Sequence, residues 1–155
     1  MARSNLWKLS AAQAITADDT ASDYYVDLGV TTPQVGVYKP KYLCIRTNTA
    51  PTQSGDTLSI EVQIDTESTF STPVVVMMPL VGANGAEIAA SDARLSAAGA
   101  WVYRGALPYE VNQRYLRLMY RNTTSSGTIT LDAWVQEDLP DTNVDQALVS
   151  NVSNP

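Results

Sequence analysis

Apolar and polar residues alternate strictly from Thr57 to Asp65, within the stretch 55–73. Leu58, Ile60, Val62 and Ile64 fall on one parity, and Thr57, Ser59, Glu61, Gln63 and Asp65 on the other. Successive side chains of a strand point to opposite faces, so this stretch predicts a strand with one face in a core and one in water. A half-buried strand belongs in an antiparallel sheet with a single packed face. The same rhythm recurs elsewhere. Residues 23–29 place Tyr24, Val26 and Leu28 on one side, and residues 42–49 alternate Leu43 and Ile45 with Cys44 and Arg46. Residues 114–121 turn Leu116, Leu118 and Tyr120 inward, and residues 128–136 do so with Ile129, Leu131, Ala133 and Val135. Residues 100–107 read as a further strand.

Residues 74–81 are apolar nearly throughout, which predicts a strand buried on both faces or covered by a subunit; Pro73 and Pro79 place it near an edge or a bend. Pro33, Gly36 and Pro40 punctuate a loop, Asn84-Gly85 is the strongest hairpin signal, and Ser125-Ser126-Gly127 marks another turn. The alanines of residues 86–99 permit a helix. About eight strands separated by turn signals predict an all-β protein, an antiparallel β-sandwich or jelly roll. Residues 1–22 read as an extended N-terminal leader, 23–137 as the jelly-roll domain and 138–155 as an extended acidic C-terminal arm. The arm holds three aspartates, two prolines and no base, and cannot bury itself. Its 18 residues span about 60 Å when fully extended, and it reads as either a free tail or an arm laid along a neighbour.

Composition narrows the function classes. The chain has 155 residues, enough for one domain with a core that needs no disulfide or metal. Ten Lys and Arg against sixteen Asp and Glu give a net charge of −6, which disfavours nucleic acid as a direct partner. Histidine is absent, and with it the commonest general base and zinc ligand. The single cysteine, Cys44, sits within a strand and reads as a packed thiol. The first residues lack the long apolar run of a secretory signal, and no segment reaches membrane-spanning length, so no membrane partner is expected.

Candidate chemistry is sparse. Asp18, Asp19 and Asp23 form one acidic cluster, and Asp65 and Glu67 another; neither has the ligand spacing or the glycine turn of a calcium loop. No metal, cofactor or catalytic residue is expected. Asn122-Thr123-Thr124 and Asn151-Val152-Ser153 match the glycosylation sequon but lack a secretory context. Arg117 and Arg121 share the parity opposite Leu116 and Leu118 and predict a solvated or inter-subunit face. Trp134 has the outward parity of Thr130, Asp132 and Gln136, while Trp101 and Tyr103 share a parity in their own strand. Outward aromatic rings belong in contact with a partner or under cover from their own chain, and parity leaves both readings open. The candidate interface set is therefore Trp7, Trp101, Tyr103, Arg117, Arg121 and Trp134, with the apolar arm residues Leu139, Val144 and Leu148.

Several of these stretches together carry a resemblance. QAIT at residues 13–16, VDLG at 26–29, Tyr42-Leu43, TLSIEVQIDTESTFSTP at 57–73, RYLRLMY at 114–120 and GTITLDAWV at 127–135 stand in an order that resembles the capsid cement proteins of the Bordetella-phage type. The chain departs from that pattern in its acidic segment from Asp138 onward and in its longer leader with Trp7. The resemblance implies a jelly-roll subunit that forms homotrimers on the outer surface of a tailed-phage head. There it would lock neighbouring major capsid proteins after expansion, with no active site. The alternative is a carbohydrate- or receptor-binding module of the virion with Trp101 or Trp134 as its platform; an enzyme using Asp and Glu as acid and base ranks third.

Overall fold

The computed structural model describes residues 7–16, 18–29, 41–76, 87–108, 111–122 and 127–137. They form ten antiparallel strands: β1 (Lys8–Ile15), β2 (Thr20–Ala21), β3 (Val26–Asp27), β4 (Tyr42–Thr49), β5 (Thr57–Asp65), β6 (Val74–Val76), β7 (Ile88–Ala89), β8 (Trp101–Ala106), β9 (Tyr115–Arg121) and β10 (Ile129–Gln136). The first sheet runs β1-β10-β4-β8. The second runs β2-β9-β5-β6, with β3 also on β9 and β7 also on β5. Its two long strands, β5 and β9, are thus flanked on each outer side by two short pieces in series.

The core lies between the sheets, and the alternating residues build it. Leu43 and Ile45 of β4, and Ile129, Leu131, Ala133 and Val135 of β10, face Leu58, Ile60, Val62 and Ile64 of β5 and Leu116, Leu118 and Tyr120 of β9. All are buried, which is what period-two patterning requires of a two-sheet sandwich.

Four expectations need correction or refinement. The polar face of β5 is only partly wet: Ser59, Gln63 and Asp65 are buried, while Thr57 and Glu61 are half-buried. β5 is an inner strand, and long side chains of neighbouring β9 lie across it, Arg117 Nε donating to Gln63 Oε1 at 2.9 Å. Residues 8–15, read as part of the extended leader, form a strand of the first sheet paired along β10 from Lys8 to Ile15. Two register shifts blur its alternation, and Ala12 adopts φ 49° at the second of them. Residues 87–100 hold only β7 and turns, with no helix among the described residues. Of the described residues 74–76, Val74 and Val75 are exposed and Val76 is buried, because β6 is a three-residue edge piece. Residues 77–81 and the Asn84-Gly85 hairpin signal lie outside the described residues.

Candidate contact surfaces

Trp101 and Trp134 meet on the outer face of the first sheet, their ring centroids 5.7 Å apart. The Arg46 guanidinium lies over both rings, at 6.0 Å and 5.8 Å, and that of Arg104 lies 5.0 Å over Trp101. Cation–ring attraction of this kind strengthens as water is excluded. Trp134 Nε1 donates to Gln136 Oε1, and the residue is only 4% exposed. Its ring is covered by its own chain and offers no open platform to a sugar. Asp132 organises the rest of this face, accepting from the Ala12 N–H at 2.7 Å and from Asn48 Nδ2 at 3.1 Å, with Arg46 Nη2 at 3.7 Å.

Tyr103 is elsewhere. The register of β8 against β4 slips by one between Tyr103 and Trp101, with Ile45 opposite Tyr103 and Arg46 opposite Trp101. Val102 is the additional residue, so the shared parity of Trp101 and Tyr103 does not survive as a shared face. Tyr103 packs on the core instead, and burial pushes its phenol pKa up. A Cβ on Gly105, two residues further along β8, would lie 2.6 Å from the Tyr103 hydroxyl and 2.9 Å from its Cζ, so a larger residue there requires this ring to shift.

The outer face of the second sheet carries the arginines expected there. Arg117 stacks at 4.5 Å over Phe70, whose ring neighbours Tyr25 at 6.2 Å; Tyr25 in turn meets Tyr115 edge-on at 5.5 Å. Arg121 is held among Asp19 at 2.8 Å, Glu61 at 3.5 Å and Asp18 at 3.9 Å. The acidic cluster weighed as a metal site is therefore partly answered by a cation. Among the described residues no group of three or more ligating side chains is arranged for a metal. Asp65 and Glu67 serve a loop: Asp65 accepts from the Glu67 and Thr72 N–H groups at 3.1 Å and 3.0 Å. Burial alone would raise the Asp65 pKa, but these backbone donors, with that of Thr66, outweigh it and bring it below the ordinary value.

Among the described residues the large apolar side chains left exposed are Tyr24 (51%), Tyr25 (47%), Val74 (49%) and Val75 (44%). None is among the residues chosen from the sequence. Parity grouped Tyr24 with Val26 and Leu28 on one side of its strand, yet Val26 is buried and Tyr24 is exposed. Trp7 packs against the margin of the core beneath Lys41 Nζ, 4.8 Å from its ring. Leu139, Val144 and Leu148 lie outside the described residues. The first sequon asparagine, Asn122, is buried and donates to Asp56 Oδ1 at 3.1 Å, a structural use of its amide.

The arrangement is thus a rigid two-sheet body with aromatic and cationic outer faces. The Bbp16 family profile matches residues 9–135, which takes in every strand but the tips of the first and last. The chain belongs to the Bbp16 family. The match begins inside β1, in keeping with that strand being an integral part of the sheet rather than an appendage. Bbp16 is a phage structural type, which makes this chain a virion component. No curated protein compared with the chain matches it.

Proposed function

We propose that this Bbp16-family protein is a capsid cement protein. It binds the outer surface of a tailed-phage head and stabilises contacts between major capsid proteins, without turning over a substrate. The observation that carries the reading is the pairing of family membership over 9–135 with aromatic and valine side chains, Tyr24, Tyr25, Val74 and Val75, left exposed on the β-sandwich. Exposed aromatic clusters on rigid bodies are suited to protein contact, since they bury much area for little lost side-chain freedom.

Cementing follows from linkage. A protein that binds only the expanded lattice stabilises it by about 2.7 kcal/mol per site when present at one hundred times its dissociation constant. Self-association multiplies the effect, because several modest contacts must release together. Three copies is the number expected from the resemblance, and sedimentation equilibrium of the purified protein reads it directly.

The deciding experiment is co-sedimentation with expanded heads and with unexpanded procapsids. Selective retention on expanded heads, lost on Tyr25→Asp with the fold intact, supports the reading. Equal retention on both particles removes it.

A further inference from the structure

The outer face of the second sheet sets a cation without a carboxylate between exposed apolar groups. Arg46, Arg94, Arg114 and Arg121 face Asp132, Asp92, Asp27 and Asp19 respectively. Arg117 is different. Its Nε donates to the neutral amide of Gln63, its guanidinium lies 4.5 Å over the Phe70 ring, and no acid among the described residues pairs with it. Arg104 also lacks an acid, but it lies over Trp101 on the other sheet with its Nη1 shut off from solvent. Register places an apolar group on either side of Arg117. Gln63 stands opposite Arg117 on β9 and opposite Val75 on β6, so Val75 shares their face about 10 Å away, two strand spacings of ~4.8 Å. Tyr25 precedes Val26, the partner of Leu116, and so comes level with Arg117 from the other side. Both Tyr25 and Val75 are exposed. The ring that seats Arg117 is held under strain. Phe70 adopts φ 51°, a left-handed conformation that bulky residues avoid. Asp65 enforces it by accepting from the Glu67 and Thr72 N–H groups, and the Phe70 N–H donates to the Glu67 carbonyl at 3.2 Å. Backbone strain of this kind clusters at functional sites.

We propose that this band is the surface that docks on the phage head, and that Arg117 receives there a carboxylate set among apolar side chains of the capsid protein. The inference rests on the cement reading and names the chemistry of its contact. A guanidinium stacked on a ring and fixed at Nε by one amide keeps its terminal nitrogens as a preformed fork for a carboxylate. Tyr25 on one side and Val75 on the other would shut water out of that pair, which strengthens both the charge attraction and the hydrogen bonds. Arginine and tyrosine are also the side chains that most often anchor protein contacts. Charge selects the face as well: a chain of net charge −6 repels an acidic patch over most of its surface, so an unanswered cation between apolar neighbours fixes the orientation of docking.

The test is the sign of charge that the contact tolerates, read as affinity of the full chain for expanded heads and for procapsids. Val75→Asp and Val75→Lys alter an exposed side chain, so both are expected to fold, and urea unfolding checks it. Val75 lies within about one Debye length of Arg117, roughly 10 Å at about 0.1 M salt, so the partner's charge is felt there. Val75→Asp is expected to bind at least about tenfold more weakly than Val75→Lys. Arg117→Gln is expected to weaken binding about ten- to a hundredfold, the range for losing a charged hydrogen-bonded pair, while Arg104→Gln binds as the native chain does. Equal losses from Val75→Asp and Val75→Lys mean a purely apolar contact and overturn the proposal. Tighter binding by Val75→Asp, or native affinity in folded Arg117→Gln, overturns it as well. If Arg117→Gln does not fold, the Val75 pair decides alone. A native chain that binds heads and procapsids equally removes the cement reading, while the variants still test this contact on either particle. A native chain that binds neither particle overturns both.

Discussion

The hydroxyl oxygens of Ser10 and Tyr120 stand 2.7 Å apart and tie β1 of the first sheet to β9 of the second through the core. Ser10 Oγ also lies 2.6 Å from Gln13 Oε1, to which it donates, and Gln13 Oε1 further accepts from the Asp23 N–H at 2.9 Å. Gln13 Nε2 donates to the Ala21 carbonyl at 2.7 Å. One buried polar chain thus holds the N-terminal strand, the link to β2 and both sheets in register. Tyr120→Phe removes one member and leaves Ser10 bonded to Gln13. The expected cost is about 1 kcal/mol by urea unfolding, whereas Gln13→Leu, which orphans several buried groups, is expected to cost about 2–3 kcal/mol.

The same tyrosine makes stability sensitive to alkali. Burial pushes its pKa well above the ordinary value, and that of Tyr103 is raised for the same reason. The folded state then keeps protons that the unfolded chain gives up, so this stability is fully present below the unfolded phenol pKa near 10 and declines above it. Unfolding midpoints measured from pH 9 to 11 are expected to fall for the native chain and to fall less steeply for Tyr120→Phe.

Acid should act through the carboxylates held by donors. The Arg94 side chain and N–H bring Asp92 to about 2, the Arg114 guanidinium lowers Asp27, and backbone donors lower Asp65 against the opposing effect of burial. For a depressed carboxylate the stability is present above the unfolded value of 3.8 and is lost as pH falls toward the folded one. Thermal melts are expected to hold steady down to about pH 4 and then drop. Asp65→Asn is expected to lower stability at neutral pH and to flatten the decline below 4.

Gly127 should resist substitution. A Cβ there would lie 2.3 Å and 2.5 Å from the two carboxylate oxygens of Asp56. That carboxylate is buried and fixed by the Gln53 N–H at 3.0 Å and by Asn122. Since neither side can yield cheaply, Gly127→Ala is expected to cost about 1–3 kcal/mol in urea unfolding, the usual range for overpacking.

Trp134 should behave as a packing residue. With its ring covered by Trp101, Arg46 and Gln136, Trp134→Ala is expected to destabilise the isolated subunit by about 3–5 kcal/mol. An unfolding curve unchanged by the substitution would mean that the ring contributes only on contact with another subunit.

Strand existence and the identity of the core were legible from alternation alone. β5, β9 and β10 bury the residues that their parity selects, because a half-buried strand admits one period and any slip would reverse every side chain. The lack of histidine and of metal-ligand spacing was equally plain. The outer faces were not readable in that way. Which polar residues stay wet depends on a strand's neighbours: Gln63 and Asp65 are buried by Arg117 and by the 66–73 loop, neither predictable from the rhythm of β5.

Sequence by itself determined an antiparallel sandwich and its inward residues, since side-chain alternation is a property of each strand taken alone. Tertiary structure decided the rest. One additional residue at Val102 sent Trp101 outward and Tyr103 inward, and two shifts concealed β1 inside an apparent leader. The meeting of Trp101 with Trp134, and of Ser10 with Tyr120, joins residues more than thirty and one hundred positions apart. Such contacts are set by register and by how the sheets stack, and no local pattern of apolar and polar positions encodes either.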